Sequence, residues 1–416
     1  MNKTNLIPLL AVLWLFSCSK SGSNSTSTTG AGSTSPVVSQ FSPTAAPVDS
    51  IVTITGSNFS TNVADDIVRF NDTVALVKSA TANQLTVVVP AGASTGKITV
   101  AIGSQTATST QNFVVTDHWT FVTSYPESDV WPGISFSLGD NLYTGMGQDL
   151  GASGWEQSFW KYNIDAGAWT KMTNFPGSAP YGGWGFAIAG KGYVIHIDSS
   201  RFLWTWEYDT TANGWNRLTN APYIENGGIV FVINNKAFAG LGLFSPVDPE
   251  YRMWEFDPVA GTWTQKQNFP GTGINTAAVF VIGNYAYVGT GLTDVTTAST
   301  TSEFWQYDPA ADTWTKKNDF PGGARGGASA FAINGKGYLG LGQSTTGTEL
   351  SDWWQYDPST DSWKQKSNFP GGARTQTVTF TGSNNLGYVG FGQGLGHQIE
   401  PNVSSNAYTD LWQYQP

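Results

Sequence analysis

One cysteine, Cys18, and three histidines, His118, His196 and His397, are all that the chain carries in 416 residues. A lone Cys excludes an internal disulfide framework, and so thin a supply of sulfur and imidazole ligands argues against a soft-metal site. Charge is scarce too, at 12% of residues, and it leans acidic: 30 Asp plus Glu against 20 Lys plus Arg, a net charge of −10. That balance excludes phosphate-backbone binding, so nucleic acid is not expected as a partner. The one marked apolar run, Leu6 to Phe16, is too short for a membrane-spanning helix, which needs about 18 or more apolar residues. The fold must stand on burial, which an aromatic content of 14% can supply in a chain of this length.

What is abundant is a repeat. Trp160-Lys-Tyr-Asn, Trp206-Glu-Tyr-Asp, Trp254-Glu-Phe-Asp, Trp305-Gln-Tyr-Asp, Trp354-Gln-Tyr-Asp and Trp412-Gln-Tyr-Gln recur at steps of 46, 48, 51, 49 and 58 residues. A second series keeps pace at Trp119, Trp169, Trp215, Trp263, Trp314 and Trp363. A period near 50 residues enclosing short alternating apolar runs predicts a propeller of four-stranded blades. Six can be counted. In the unit from Phe320, Gly326 to Ile333 is the small-residue inner strand and Asn334-Gly335 a tight hairpin. Gly337 to Gly342 is the second strand, Asp352 to Asp357 the third, and Ser362 to Lys366 the outermost. The region opens with an outer strand, Trp119 to Val122, and ends with a third strand, Leu411 to Tyr414. The first piece should therefore complete the sixth blade and remove the open sheet edges.

The Tyr-Asp-Pro turn before the second Trp and the Pro-Gly-Gly-Ala-Arg turn resemble the kelch repeat over residues 117–416. One departure is that the family's adjacent glycine pair is opened to Gly-x-Gly, as in Gly145-Met-Gly147 and Gly240-Leu-Gly242, and is lost at Ile195-His196. The family includes galactose oxidase, whose copper site needs two His and a Tyr linked to a Cys. The propeller has no Cys, so that chemistry is excluded, and no metal or cofactor is expected.

The front of the chain divides in three. Residues 1–17 read as a secretory signal. Leu15-Phe16-Ser17-Cys18 resembles a bacterial lipobox, which implies cleavage before Cys18 and its acylation. Residues 18–35, almost wholly Ser, Gly, Thr and Asn, form a flexible tether. No Asp follows Cys18, so the expected location is the outer membrane, facing either the periplasm or the outside. Residues 36–116 hold short alternating strands at turn-marked spacing, which predicts an antiparallel sandwich. Val52-Thr-Ile-Thr-Gly-Ser-Asn-Phe59 and Val89-Pro-Ala-Gly-Ala-Ser-Thr-Gly-Lys-Ile98 resemble the immunoglobulin-like IPT/TIG domain, implying a spacer or a contact module. The fold class is thus all-β: an immunoglobulin-like sandwich followed by a six-bladed propeller closed by its N-terminal outer strand.

In such blades the loops between second and third strands share one face with the turns leading into each inner strand. The variable loops are there: 148–157, 198–202, 244–251, 292–303, 343–351 and 394–408. The same face should gather the ligand-binding candidates Trp131, Tyr181, Trp184, Glu225, Asn275, Arg325 and Arg374. Flat rings beside fixed polar groups suit a sugar or a peptide. Trp131 and Trp184 stand out because they fall outside the repeat series of Trp. The two Arg occupy the repeat's own position and could equally serve structure, while Asp165, Asp209, Asp257, Asp308 and Asp357 should bond local turn amides. The favoured reading is a lipid-anchored, monomeric binding protein that offers its propeller face to a glycan or protein. The alternative is a periplasmic sugar mutarotase like N-acetylneuraminate epimerase, with Glu225 and Arg325 or Arg374 as acid–base partners.

Overall fold

The computed structural model describes residues 35–48, 50–90, 93, 95–127, 130–131, 133–149, 154–177, 183–198, 202–222, 224, 227–242, 250–273, 275–294, 296–394 and 407–416. Cys18 and the tether lie outside them, as do Tyr181 and Glu225. The chain divides between Val114 and Val115, two residues before the expected boundary.

The first unit is a two-sheet sandwich. One sheet orders Val37–Ser42, Ile51–Ser57, Gln84–Val88 and Leu76–Thr81; the other orders Ala45–Ala46, Gln105–Val115, Gly96–Ile102, Ile67–Phe70 and Thr73–Val74. Alternation along each strand sends Val52, Ile54, Val68, Phe70, Leu85, Val87, Ile98, Val100 and Phe113 inward, each with at most 1% exposure. Phe70 meets Phe113 edge-on at 4.8 Å, a favoured aromatic geometry. The strands Val37–Ser42 and Leu76–Thr81 were not anticipated; both carry register shifts against their partners, which break the alternation a sequence reading depends on.

The second unit holds six four-stranded antiparallel sheets. Their inner strands are Ile134–Leu138, Gly183–Ile188, Ile229–Ile233, Ala278–Ile282, Ser329–Ile333 and Val378–Thr381, and together they line one channel. The sixth sheet runs Val378–Thr381, Gly387–Gly390, Asp410–Gln415, His118–Ser124, so the ring closes as the order of strands required. Trp119 pairs with Tyr414 and Phe121 with Trp412.

Each blade carries one stacked pair between its first two strands. Phe136–Tyr143, Phe186–Tyr193, Phe231–Phe238, Phe280–Tyr287, Phe331–Tyr338 and Phe380–Tyr388 lie 4.5–5.5 Å apart with rings within 29° of parallel. Glycine on the next blade makes room for this: a Cβ at Gly192, Gly337 or Gly387 would overlap Phe136, Phe280 or Phe331. Full burial of such a ring is worth about 1.5–3 kcal/mol, and the pattern repeats round the ring.

The opened Gly-x-Gly has a definite geometry. Its middle residue, Met146, Leu241, Thr290, Leu341 or Phe391, sits in the left-handed region at φ 51–63° with its side chain buried. The middle amide bonds the carbonyl just before the third strand, as Leu341 N–H does to Asp352 at 3.1 Å. Blade two lacks the motif, and there Lys191–Ile197 and Leu203–Asp209 run on as seven-residue strands. The turn acids behave as expected at Asp209, Asp257, Asp308 and Asp357, each accepting the amide two residues on at 2.8–3.0 Å. Asp165 does not belong to that series. In blade one the equivalent residue is Asn163, whose side chain accepts the Ala166 amide at 2.7 Å.

Candidate functional site

The loop face is built by a second, smaller ladder. In blade five Arg325–Gly326, just ahead of the inner strand, pairs with Gln343–Ser344, just past the second. Blade four repeats this as Asn275 with Leu292, blade six as Thr375 with Gln393, and blade one as Val130–Trp131 with Gln148–Asp149. Both partners flank the Gly-x-Gly turn, which swings the chain up so that leading turn and following loop meet.

Backbone bonds then tie the leading turns of successive blades together. Thr276 N–H bonds the Gly227 carbonyl at 2.6 Å, Gly327 that of Thr276 at 3.1 Å, and Gln376 that of Gly327 at 3.0 Å. All four residues are left-handed, at φ 75°, 52°, 63° and 56° in that order. The result is a fixed rim over blades three to six. Outside it, over blades four to six, opens a cleft of about 230 Å³. Thr276, Thr300, Gln343, Ser344, Glu349, Thr375, Gln376 and Gln393 are its polar lining residues, with Leu292 and Ala298 as its larger apolar contacts.

The central channel differs in chemistry. Its volume is about 610 Å³, and the side chains turned into it are Ser135, Ser137, Ala187, Val230, Val232, Val279, Val281, Ala332, Thr379 and Thr381. None of these is ionisable. Thr379 and Thr381 donate to the carbonyls of Ala330 and Ala332 at 2.8 and 2.9 Å. An acid–base reaction has no group to use among these side chains.

Two of the expected contacts become structural. Arg325 and Arg374 have no exposed surface. Arg325 bonds both oxygens of Asp352, at 2.6 and 3.0 Å, and the carbonyls of Leu341 and Gly322. Arg374 does the same with Asp410, Phe391 and Gly371. Each guanidinium also lies over a ring, Phe320 at 4.7 Å and Tyr408 at 3.5 Å respectively. The same carboxylates accept the indole N–H of Trp354 and Trp412, at 2.7 and 2.6 Å. A bidentate fork spent this way leaves no donor for a ligand. The pairing of either Arg with Glu225 as acid and base loses its Arg for the same reason.

Trp184 is corrected as well. Counted from the stacked Phe186, it stands where Ile134, Ile229, Ala278, Ser329 and Val378 stand in the other blades, and it pairs with Ile195. It packs half-buried against the core round Phe186 and Ile188, and its indole N–H donates to the Gly228 carbonyl of blade three at 2.8 Å. Asn275 is buried at the rim, exchanges backbone bonds with Leu292 at 3.2 and 2.7 Å, and packs its carboxamide on Gly227. Trp131 holds, by its backbone, the place in blade one that Thr375 has in blade six.

Comparison with known proteins fits this architecture. Residues 36–115 match the IPT/TIG domain. The TIG domain is thus the sandwich described above. Among solved structures, YjhT aligns with a TM-score of 0.58 at 18% identity, over 71% of this chain and 100% of its own. That likeness is one of fold. No curated protein matches the sequence.

The glutamines of the cleft were missed in the sequence, although a signal was there. Gly145-Met-Gly-Gln148, Gly340-Leu-Gly-Gln343 and Gly390-Phe-Gly-Gln393 place a Gln directly after the turn in three blades. Only the left-handed geometry of the middle residue shows that this position reaches the face.

Proposed function

We propose that this chain is a lipid-anchored binding protein of the cell envelope, and that the loop face of its propeller takes a glycan or a protein. The observation that carries the reading is the contrast between the two concavities. Among the described residues the channel offers small side chains and no ionisable group, whereas the cleft gathers hydroxyl, carboxamide and carboxylate groups on a rigid backbone rim. Positioned polar groups on a stiff scaffold are what selective binding needs, and loops carry them most often. In this reading the backbone ladder of Val130–Trp131 with Gln148–Asp149 continues the face into blade one. The TIG domain is the spacer, and Cys18 with its tether fixes the module to the outer membrane as a monomer.

The comparison that decides is between the full-length chain and Thr300→Trp, which fills the cleft, on a common panel of immobilised glycans and envelope proteins. Binding that the wild-type chain shows and the filled variant loses supports the reading. Equal binding by both removes the loop face from consideration. Accelerated anomer exchange in free sugars, followed by NMR, would transfer the protein to the mutarotases.

A further inference from the structure

We infer that the outer flank of blade two, round Phe202, Trp204, Arg217 and Leu218, docks an extended acidic segment of a partner protein. None of these residues lines the cleft over blades four to six. The inference therefore goes beyond the reading above, and each can fail without the other.

Blade two breaks the repeat at this place. Two residues before the third-strand Trp, the other blades carry Ser158, Arg252, Glu303, Asp352 and Asp410. Each of these is spent inside the protein, on Glu127, Glu250, Thr272, Arg325 and Arg374 respectively. In blade two the position is Trp204, which belongs to neither repeat series of Trp. Its indole N–H donates to Asp198 at 2.9 Å, and the other oxygen of Asp198 accepts the Phe202 amide at 3.0 Å. One carboxylate thus fixes both residues, and Phe202 is nonetheless 59% exposed.

The outer strand departs from the pattern as well. Trp206 faces Arg217 and Trp204 faces Asn220, so two steps along the third strand match three along the outer one. The same pairing is regular in blades one, three, four and five. A bulge of this kind re-aims side chains, and Leu218, beside it, is 42% exposed. A single exposed apolar residue would mean little. Here two flank a stacked Trp and Arg on one blade.

Charge decides the kind of partner. Arg217 is exposed and lies over the Trp204 ring at 4.3 Å. Arg252, Arg325 and Arg374 each pair with a carboxylate, whereas Arg217 forms no ion pair among the described residues. A guanidinium steadied on a ring keeps its N–H donors for a carboxylate. Its complement here is an acidic residue with apolar neighbours to cover Phe202 and Leu218. An acidic glycan would satisfy Arg217 but leave Leu218 uncovered. Gly214–Asn220 is also the last strand of its sheet, so one edge of it faces no other strand. An extended peptide can pair with such an edge, and a sugar chain cannot. Trp and Arg are moreover the residues in which protein-contact hot spots are richest.

The experiment titrates the full-length protein in detergent with labelled ten-residue peptides made of Glu and Leu, of Lys and Leu, or of Glu and Ser, in one shared order. Polygalacturonate serves as the acidic glycan. The Glu/Leu peptide should bind best, and its affinity should fall as salt is raised. Phe202→Ser should weaken it roughly tenfold, the loss of one hot-spot contact. Arg217→Glu should reverse the preference, toward the Lys/Leu peptide. Both variants should keep the wild-type melting temperature, since both side chains are exposed. Equal binding of the Glu/Leu peptide and either other peptide overturns the inference, as does binding of none. An unchanged charge preference in Arg217→Glu, or weakening that tracks a fall in melting temperature, also overturns it. Polygalacturonate bound through Arg217 in preference to the Glu/Leu peptide removes the assignment to a protein. The Thr300→Trp comparison judges the cleft separately in every case.

Discussion

Asp117 accepts the phenolic hydroxyl of Tyr414, 297 residues further along, at 3.2 Å. The same carboxylate oxygen takes the Ser367 amide at 2.7 Å. This is the last turn of a repeated clamp. Tyr208 donates to Asn213, Tyr307 to Asp312 and Tyr356 to Asp361, and those side chains accept the amides of Thr173, Gln267 and Asn318 on the preceding blade. Each acceptor stands two residues before an outer-strand Trp. Asp117→Ala should therefore unfasten the ring at its seam and cost about 1–3 kcal/mol, the usual penalty for leaving buried partners unpaired. Urea unfolding would measure it, and an unchanged midpoint would remove the clamp from the account of closure.

The same residue makes stability pH-dependent. Burial pushes the Asp117 carboxyl up, but the Ser367 amide and the Lys366 ammonium more than offset this and hold it below its ordinary value. Asp257 and Asp357 are held at about 2, by Lys236 and Lys336 first and by turn amides after them. A carboxyl lowered in the folded state contributes stability above its unfolded pKa of about 3.9 and loses it as pH falls through the folded value. Resistance to urea should accordingly decline between about pH 4 and pH 2. Asp117→Asn should show a shallower decline than wild type, and parallel curves would contradict the assignment.

Arg325→Ala and Arg374→Ala should unfold the protein more easily rather than spoil a binding surface. Removing one partner of a buried ion pair costs about 3–5 kcal/mol, because the other is left uncompensated. Here it strands Asp352 or Asp410 together with an indole N–H that shares the carboxylate. Lysine should rescue little, having no fork to span both oxygens. Melting temperature and glycan affinity, measured on each variant, separate the two roles; a stable variant with weakened binding would restore the Arg to the site.

The contrast between these residues shows where the sequence was legible. Strand order, blade count and closure followed from the spacing of Trp160, Trp206 and their successors, because a period survives any local irregularity. The role of Arg325 did not, since its partner Asp352 lies 27 residues away and is recognisable only once both are seen to flank the Gly-x-Gly turn. A sharper reading would have noticed that the two blades with Ala-Arg turns also carry an Asp at the head of the third strand, Asp352 just before Trp353–Asp357 and Asp410 as the first residue of Asp410–Gln415. The cleft was half legible. Topology brought the leading turns and the following loops to one face, but four of the residues singled out on it by chemical type, Arg325, Arg374, Trp184 and Asn275, are ones that folding had already used.

Membrane attachment should hang on one atom. If Cys18 is acylated, Cys18→Ser should release the chain into the soluble fraction and leave the fold unchanged, since the described residues begin at 35. A precursor that accumulates under inhibition of lipoprotein signal peptidase would agree. Continued membrane residence of Cys18→Ser would exclude a lipid anchor at this position.

Trp119 brings closure down to a single side chain. It stands on His118–Ser124, the outer strand that the start of the propeller lends to the sixth blade, and it meets three rings at once: Trp353 at 5.2 Å, Phe369 at 4.9 Å and Tyr414 at 4.7 Å. Its indole N–H donates to the Ser367 carbonyl at 3.2 Å, as Trp215, Trp314 and Trp363 do to Thr173, Gln267 and Asn318. Trp119→Ala should cost about 3–5 kcal/mol, the range for emptying a packed aromatic site. Deleting the strand altogether, in a chain beginning at residue 126, should be worse. It removes the pairing with Asp410–Gln415 and exposes that strand as a sheet edge, which invites aggregation. The proper reference is a chain beginning at residue 117, which keeps strand and clamp together. Equal solubility and melting temperature for the two truncated chains would mean that the sixth blade stands without its borrowed strand.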